Sequence, residues 1–279
     1  MAKSSIAIVT DSTADIPLTV VEDLKITVVP AILIIEGRSY IDGEEITREE
    51  FYRLLPTLSE PATTAIPPSA AFEKEYRKLF DLGFERILSI HVASQLSGMI
   101  NSASQAAQAF IDRVHIFDSR QLTMALGFQV MEAAAASLRG ESFESVLEIL
   151  HSTRERVRLI ALIDTLEYLK RSGRISWLRA SLGDLLQMKL LVSILNGVIE
   201  RVGIARTKRK GISQLLAHVK TWGPLERLAV LHSAIPDEAA LMAENTRHLS
   251  TNPPLIVDVT TVIGTHVGPK AIGFAGLCK

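Results

Sequence analysis

The stretch SIAIVTDSTADIP, residues 5–17, carries the reading that decides the architecture. Ile6-Ala7-Ile8-Val9 is a short run of apolar residues without polar alternation, the pattern of a strand buried on both faces, here over 5–9. A turn over 11–17 follows, made of Asp11, Ser12, Thr13 and Asp15 and closed by Pro17. Such side chains hydrogen-bond nearby backbone and so favour turns and helix starts. A helix over about 18–24 completes a strand–turn–helix unit.

The same rhythm continues outward. A second strand over 26–35 ends at Gly37, and Thr47 with Glu50 forms a capping box ahead of Phe51 and Leu54. Pro61, Pro67 and Pro68 make 61–69 a loop or turn. Amphipathic helix over 72–82, strand over 86–91, a small-residue helix over 98–110, strand over 114–117 and an apolar helix over 127–138 follow. An amphipathic helix over 143–158 leads to a new strand at 159–164. Beyond it lie helices near 167–170 and 213–222, with strands at 189–194, 198–205, 228–233 and 255–259. Gly197 between two apolar runs marks a hairpin. The sequence therefore predicts an α/β fold of two domains, 1–158 with a mostly parallel sheet and flanking helices, and 159–279 with a mixed sheet and helices.

Composition narrows the class. The chain has 279 residues, 47% of them apolar, with a formal net charge of −1 and a mean hydropathy of +0.24. It is too apolar for a disordered chain. Its near-zero charge withholds the attraction that a nucleic-acid binder uses. One cysteine, Cys278, excludes a disulfide framework or a cysteine-rich metal site and fits a reducing, cytoplasmic setting. The first twenty residues carry Asp11 and Asp15 rather than the apolar core of an export signal. The longest uncharged run, 87–111, holds Ser94, Gln95, Ser97, Asn101, Ser102, Ser104, Gln105 and Gln108, the wrong chemistry for lipid. No stable membrane insertion is expected. The apolar surplus is either ordinary core or the lining of an apolar ligand's site, and composition leaves both open.

Chemistry-bearing residues gather in loops at predicted strand ends, where open α/β sheets bind ligands. GxGxxG, GxxxxGK[ST], GxSxG and HExxH are all absent, and no metal or cofactor is expected. The turn after the first strand either caps a helix or holds an anion; Asp11 and Asp15 oppose an anion, which favours an architectural role. Thr63 and Thr64 present adjacent hydroxyls beside a proline-fixed turn. Ser94 and Ser97, with Gly98 and Asn101, follow the strand over 86–91; the Ser97 hydroxyl is either an N-cap or a ligand donor. Glycines flank His266, letting backbone approach a ligand that the imidazole can bond. Arg174, behind Gly173, is directed at a partner protein or a phosphate, whereas Lys208, Arg209 and Lys210 read as a solvated face.

Five stretches, in order, resemble the DegV family of bacterial fatty-acid-binding proteins, which includes the FakB subunits. VTDSTADIP (9–17) is the most specific of them. IHVASQLSGMINSA (90–103) resembles the family's LSGTYxSA segment and FDSRQLTMALGFQV (117–130) its DSxxxSxGxG segment. LEYLKRSGRIS (166–176) resembles LxxLxxGGRIS, and THVGPKAIG (265–273) resembles HxGPGxxG. The resemblance implies a two-domain α/β protein that holds one long-chain fatty acid in a tunnel between its domains. It also implies a separate fatty acid kinase subunit that phosphorylates the presented carboxylate, so that this chain has no turnover of its own. Thr64, Ser97 and His266 are the implied carboxylate contacts. Thr63, Ser94, Gly98, Asn101 and Lys270 lie near them in the motifs, and Arg174 and Arg206 are the implied docking residues.

Several positions depart from the pattern. Ala65 and Ile66 stand for the serine and glutamine of the family's TSQPS, Met99 and Ile100 for threonine and tyrosine, Leu190 for a proline, and Lys270 for the second glycine of GPG. These make for a drier head-group pocket, with Lys270 as an added cation. The physical reading agrees with lipid binding: at about 0.8 kcal/mol per methylene, a sixteen-carbon chain contributes roughly 10 kcal/mol before ordering costs. An enzyme using Ser97 or His266, as an acyl hydrolase or small-molecule kinase, is the alternative. A regulatory interaction module built on Arg174 and Arg206 is a third.

Overall fold

The computed structural model describes residues 5–175 and 188–279. The chain runs β1 (Ile6–Asp11), α1 (Leu18–Asp23), β2 (Thr27–Val29), β3 (Ile32–Ile35), β4 (Arg38–Ile41), α2 (Arg48–Leu54) and β5 (Thr63–Ala65). It continues through α3 (Ser69–Asp81), β6 (Arg86–His91), α4 (Met99–Ala107), β7 (Val114–Asp118), α5 (Thr123–Leu138), α6 (Phe143–Arg156) and β8 (Val157–Ile163). The remainder is α7 (Leu166–Ser172), β9 (Lys189–Leu195), β10 (Val198–Ala205), α8 (Lys208–Lys220), β11 (Leu225–His232), α9 (Pro236–Thr246), β12 (Leu255–Asp258), α10 (Thr261–Val267) and β13 (Ile272–Cys278).

The residues up to Ala31 cluster with Ile66–Val157 as one compact unit, and Ile32–Ala65 with Arg158–Lys279 as a second. The reading of 1–158 as a single continuous domain thus differs over 32–65, which packs with the second unit. Pro30 is the physical reason. It has no N–H to extend a ladder, so the apolar run over 26–35 is split into β2, paired with β1, and β3, paired with β4 and β5. The freed N–H of Ala31 donates to Ser12 Oγ at 3.1 Å.

The first unit is built on a parallel sheet in the order β2-β1-β6-β7. All six residues of β1 are buried, as its uniform apolar run requires. Helix α5 packs closely on the turn after β1 because position 127 is glycine; a Cβ there would stand 2.6 Å from the Ala14 carbonyl oxygen. The second unit holds an antiparallel sheet, β4-β3-β5, and a mixed sheet, β10-β9-β8-β13-β11-β12. The β9–β10 hairpin turns on Asn196 and Gly197, with φ of 50° and 82°, the positive values a tight two-residue turn needs. Glycine recurs where β13 passes β8: a Cβ on Gly273 would meet the Ile160 carbonyl at 2.6 Å. Phe274, Ile160, Leu215 and Val230 lie in that unit's core.

Both acids of the first turn serve architecture. Asp11, fully buried, accepts from the Thr13 N–H through Oδ1, and from the Val92 N–H and His91 Nδ1 through Oδ2 at 3.1 and 3.0 Å. Asp15 accepts from Thr123 Oγ1 at 2.5 Å. With Nδ1–H given to Asp11, His91 Nε2 accepts from Ser89 Oγ at 2.7 Å, and Ser89 in turn accepts from Tyr76 at 2.8 Å. Burial raises the Tyr76 phenol above its ordinary pKa, which keeps it a donor. The spacing is that of a Ser–His–Asp array, yet Ser89, His91 and Asp11 are each 0% exposed. It is a strut tying three neighbouring segments, since a nucleophile needs access to its substrate.

Candidate functional site

In the second unit, β5 and α10 bring Thr64 and His266 together, with Thr64 Oγ1 3.1 Å from His266 Nε2. The strand β5 falls inside the segment the sequence reads as loop. It pairs Leu33 with Thr64 and Ile34 with Thr63, the prolines at 61 and 67 lying outside it. Helix α10 is rich in β-branched residues that disfavour helix, and packing holds it. A Cβ on Gly264 would stand 2.5 Å from the Tyr52 hydroxyl, and one on Gly268 would stand 2.3 Å from the Tyr168 ring. Only glycine lets both rings seat there, and Gly268, at φ +75°, also needs glycine's backbone freedom. The side chain of Thr261, at the start of α10, donates to Asp42 at 2.7 Å.

Desolvation, and after it the positive charge of Arg174, lower the His266 pKa from 6.5 to about 4. The ring is therefore neutral. Its Nδ1 is buried with no hydrogen-bond partner among the described residues. An orphaned buried N–H is costlier and rarer than an uncovered lone pair, so we assign the proton to Nε2. Nε2–H then donates to Thr64 Oγ1, and the Thr64 hydroxyl proton is left to donate elsewhere.

A pocket of about 120 Å³ opens on this pair, walled by Thr63, Thr64, Tyr168, Arg171, Arg174 and His266 among others. Arg174 reaches it through the end of α7. Gly173 takes the left-handed conformation, at φ 69°, that closes helices, and Arg174 folds back so that Nη1 donates to the Ser172 carbonyl at 2.7 Å. Tyr168 and Arg171 lie within the quoted 166–176 motif, yet the sequence reading gives them no role; their spacing on α7 was the available signal. Ser176 of the same motif lies outside the described residues.

In the first unit, Ser97 precedes α4, whose N-cap is Gly98. Ser97 Oγ accepts from the Met99 N–H at 3.2 Å, so the hydroxyl supports the helix start with a lone pair and does not spend its own proton there. Ser94 is committed to Asp118, donating from Oγ at 2.7 Å. Asn101 is exposed on the first turn of α4. The Ile66 side chain packs on Gly98, 3.3 Å from where a Cβ would be, so this departure from the family pattern places a methyl group over the helix start. Lys270 is exposed, with φ +65°, and Arg206 is exposed between β10 and α8; neither lines the pocket that holds Arg174. Among the described residues, no cluster of three or more His, Cys, Asp and Glu side chains suits a metal, and no helix is long and apolar enough to cross a membrane.

Comparison with known proteins supplies the context for this geometry. The chain is 32% identical over 274 residues to a DegV domain-containing protein of Streptomyces coelicolor, covering 96% of each. It is 32% identical over 280 residues to one of Caldanaerobacter subterraneus, covering 96% of this chain and 97% of that one. Among solved structures, it resembles a fatty-acid-binding DegV family protein of Thermus thermophilus with a TM-score of 0.91 and 32% identity, over 98% of this chain and 99% of that one. DegV of Bacillus subtilis, described as a fatty acid binding protein, matches with a TM-score of 0.87 and 31% identity, over 99% and 100% of the two chains. The family model described as "Uncharacterised protein, DegV family" matches residues 5–278, and the chain belongs to the DegV family.

Proposed function

We propose that this protein binds a long-chain fatty acid and presents its carboxylate to a separate kinase subunit, turning over nothing by itself. Thr64 donates its hydroxyl proton to the carboxylate, His266 orients Thr64, and Ser97 donates from the first unit. The acyl chain occupies the tunnel that the family resemblance implies, and Arg174 and Arg206 dock the kinase. The single cysteine fits a cytoplasmic setting. The observation that carries the reading is the Thr64–His266 pair at 3.1 Å. A neutral imidazole behind a hydroxyl directs a proton at an anion without burying a counter-charge. Relatives with about a third of their residues identical to this chain's are described as fatty acid binding, which supports the same ligand class.

Native mass spectrometry of the gently purified chain tests this, followed by titration with palmitate. The wild type carries or accepts one fatty acid. Thr64→Val and Ser97→Ala each weaken it about tenfold, the loss of one hydrogen bond to a charged group. A chain that neither carries nor accepts a fatty acid refutes the reading. Ester or ATP turnover by the isolated chain, abolished in Ser97→Ala, would install the enzyme alternative instead.

A further inference from the structure

The motif over 117–130 supplies none of the proposed carboxylate contacts, yet its first residues sit against the loop that carries Ser97. Both lie in the first unit. That loop, over 92–98, joins β6 to α4 and is tied down at three successive residues. The Val92 N–H donates to Asp11 at 3.1 Å, and the Ala93 N–H to the Gln121 carbonyl at 2.9 Å. Ser94 donates to Asp118 Oδ2, from Oγ at 2.7 Å and from its N–H at 3.4 Å. Beyond these ties the loop folds on itself, the Leu96 and Ser97 N–H groups donating to the Ala93 carbonyl at 2.9 and 3.2 Å. Two of the three ties thus come from the segment 118–121, and the same carboxylate shapes that segment. Asp118 Oδ1 accepts from the Arg120 N–H at 2.8 Å, the two-residue reach of an Asx turn. Arg120 has a φ of 53°, uncommon for any residue but glycine, and the turn supports it.

We infer that Asp118 is a positioning residue for the Ser97 hydroxyl. Its two oxygens hold two loops: Oδ1 fixes the template over 118–121, and Oδ2 fixes Ser94 onto it. Ala93, held between the ties at Val92 and Ser94, then sets Ser97 through its carbonyl. A hydroxyl aimed in advance spends less ordering entropy when an anion arrives, so more of its hydrogen bond appears as affinity. Only an ionised carboxylate serves both loops with acceptors alone; an asparagine has one acceptor oxygen and satisfies one of them. Ser94 is exposed and Asp118 half-buried, so the clamp acts on the loop more than on the stability of the fold. The inference rests on the proposal that Ser97 meets the carboxylate of a fatty acid.

The test is calorimetric titration of the full, delipidated protein with palmitate. Asp118→Ala should weaken binding about five- to tenfold, with Asp118→Asn and Ser94→Ala, which each keep part of the clamp, between it and the wild type. In a Ser97→Ala background, Asp118→Ala should cost less than about twofold, because the hydroxyl it acts through is gone. Losses that multiply in the double variant would show a merely structural role and overturn the inference. Unchanged or tighter binding in Asp118→Ala overturns it too, tighter binding meaning that relief of charge repulsion prevails. Hydrogen exchange reads the loop without ligand: amides over 94–97 should exchange faster in Asp118→Ala while those of Leu88 and Ile90 in β6 stay protected. Loop amides as protected as in the wild type overturn the inference. A loss in Ser97→Ala without one in Asp118→Ala overturns it alone and leaves the fatty-acid reading standing. Wild-type affinity in Ser97→Ala overturns it together with the Ser97 contact, and a wild type that binds no palmitate overturns the fatty-acid reading itself.

Discussion

Acid should destabilise this protein through His266, and the size of the effect follows from its setting. The ring faces Thr64 from β5 and shares its pocket with Tyr168, Arg171 and Arg174 from α7 and its end, and with Glu60. Burial, then Arg174, lowers its pKa from 6.5 to about 4. Because the folded value lies below the unfolded one, the unfolded chain binds the extra proton as pH falls. Stability is unaffected above about pH 6.5 and is lost progressively between about 6.5 and about 4. Linkage over that shift gives a loss of about 2 kcal/mol from pH 7 to pH 5, rising to about 3 kcal/mol at lower pH. The assay is thermal unfolding of the unliganded wild type and His266→Gln across this range. The wild type should lose roughly 4–8 °C more than the variant on going to pH 5, since every other titrating group is common to both. Arg174→Gln should reduce the excess. Equal slopes in wild type and His266→Gln would refute the assignment of a neutral, strongly depressed histidine.

Two further outcomes follow from packing and satisfaction. Gly268→Ala would set a methyl 2.3 Å from the Tyr168 ring at a φ of +75°, so calorimetry should show a loss of about 2–4 kcal/mol; a wild-type melting temperature would contradict the tight seat. Ser89→Ala removes the link between Tyr76 and His91 and leaves two buried groups unpartnered. Chemical denaturation should report about 2–4 kcal/mol lost, and a change under about 0.5 kcal/mol would show the strut to be idle.

The parts of the fold legible in the sequence are those whose signals are local. The run at 6–9 and the turn at 11–17, the Thr47–Glu50 capping box and the hairpin at Gly197 each rest on neighbouring residues. What was illegible depends on distant contacts. Strand β5 is only three residues long and exists because β3 pairs with it. Helix α10 goes against its β-branched composition and is kept by Tyr52 and Tyr168 on its glycines. Strand β13 carries Gly273 and Gly276, which weaken any strand signal, yet both are required by close approach to β8 and Trp222. Helix α9 did carry local signals, Pro236 at its start with Asp237 and Glu238 in the first turn, and the sequence reading assigns no element there. At the site, motif position marked Thr64 and His266, whereas their hydrogen bond, joining residues far apart in sequence, needed the fold. Lys270 likewise reads as a charge, while its positive φ shows a backbone position for which glycine is the easier residue.

The place of β13 within its sheet constrains how the chain can be made. It lies between β8 and β11, so the strands of that sheet synthesised first, β8, β9 and β10, form one edge-exposed half, and β11 and β12 form another. Only the strand latest in chain order joins them. At about 5–20 residues per second, β8 waits on the order of ten seconds for its inner neighbour, with an apolar edge open meanwhile. The segment 32–65 waits longer still, because the unit it belongs to is encoded mostly downstream. On the ribosome this protein should therefore spend a vulnerable interval in which its first unit is already closed and its second cannot be, the interval in which a chaperone would have most to protect.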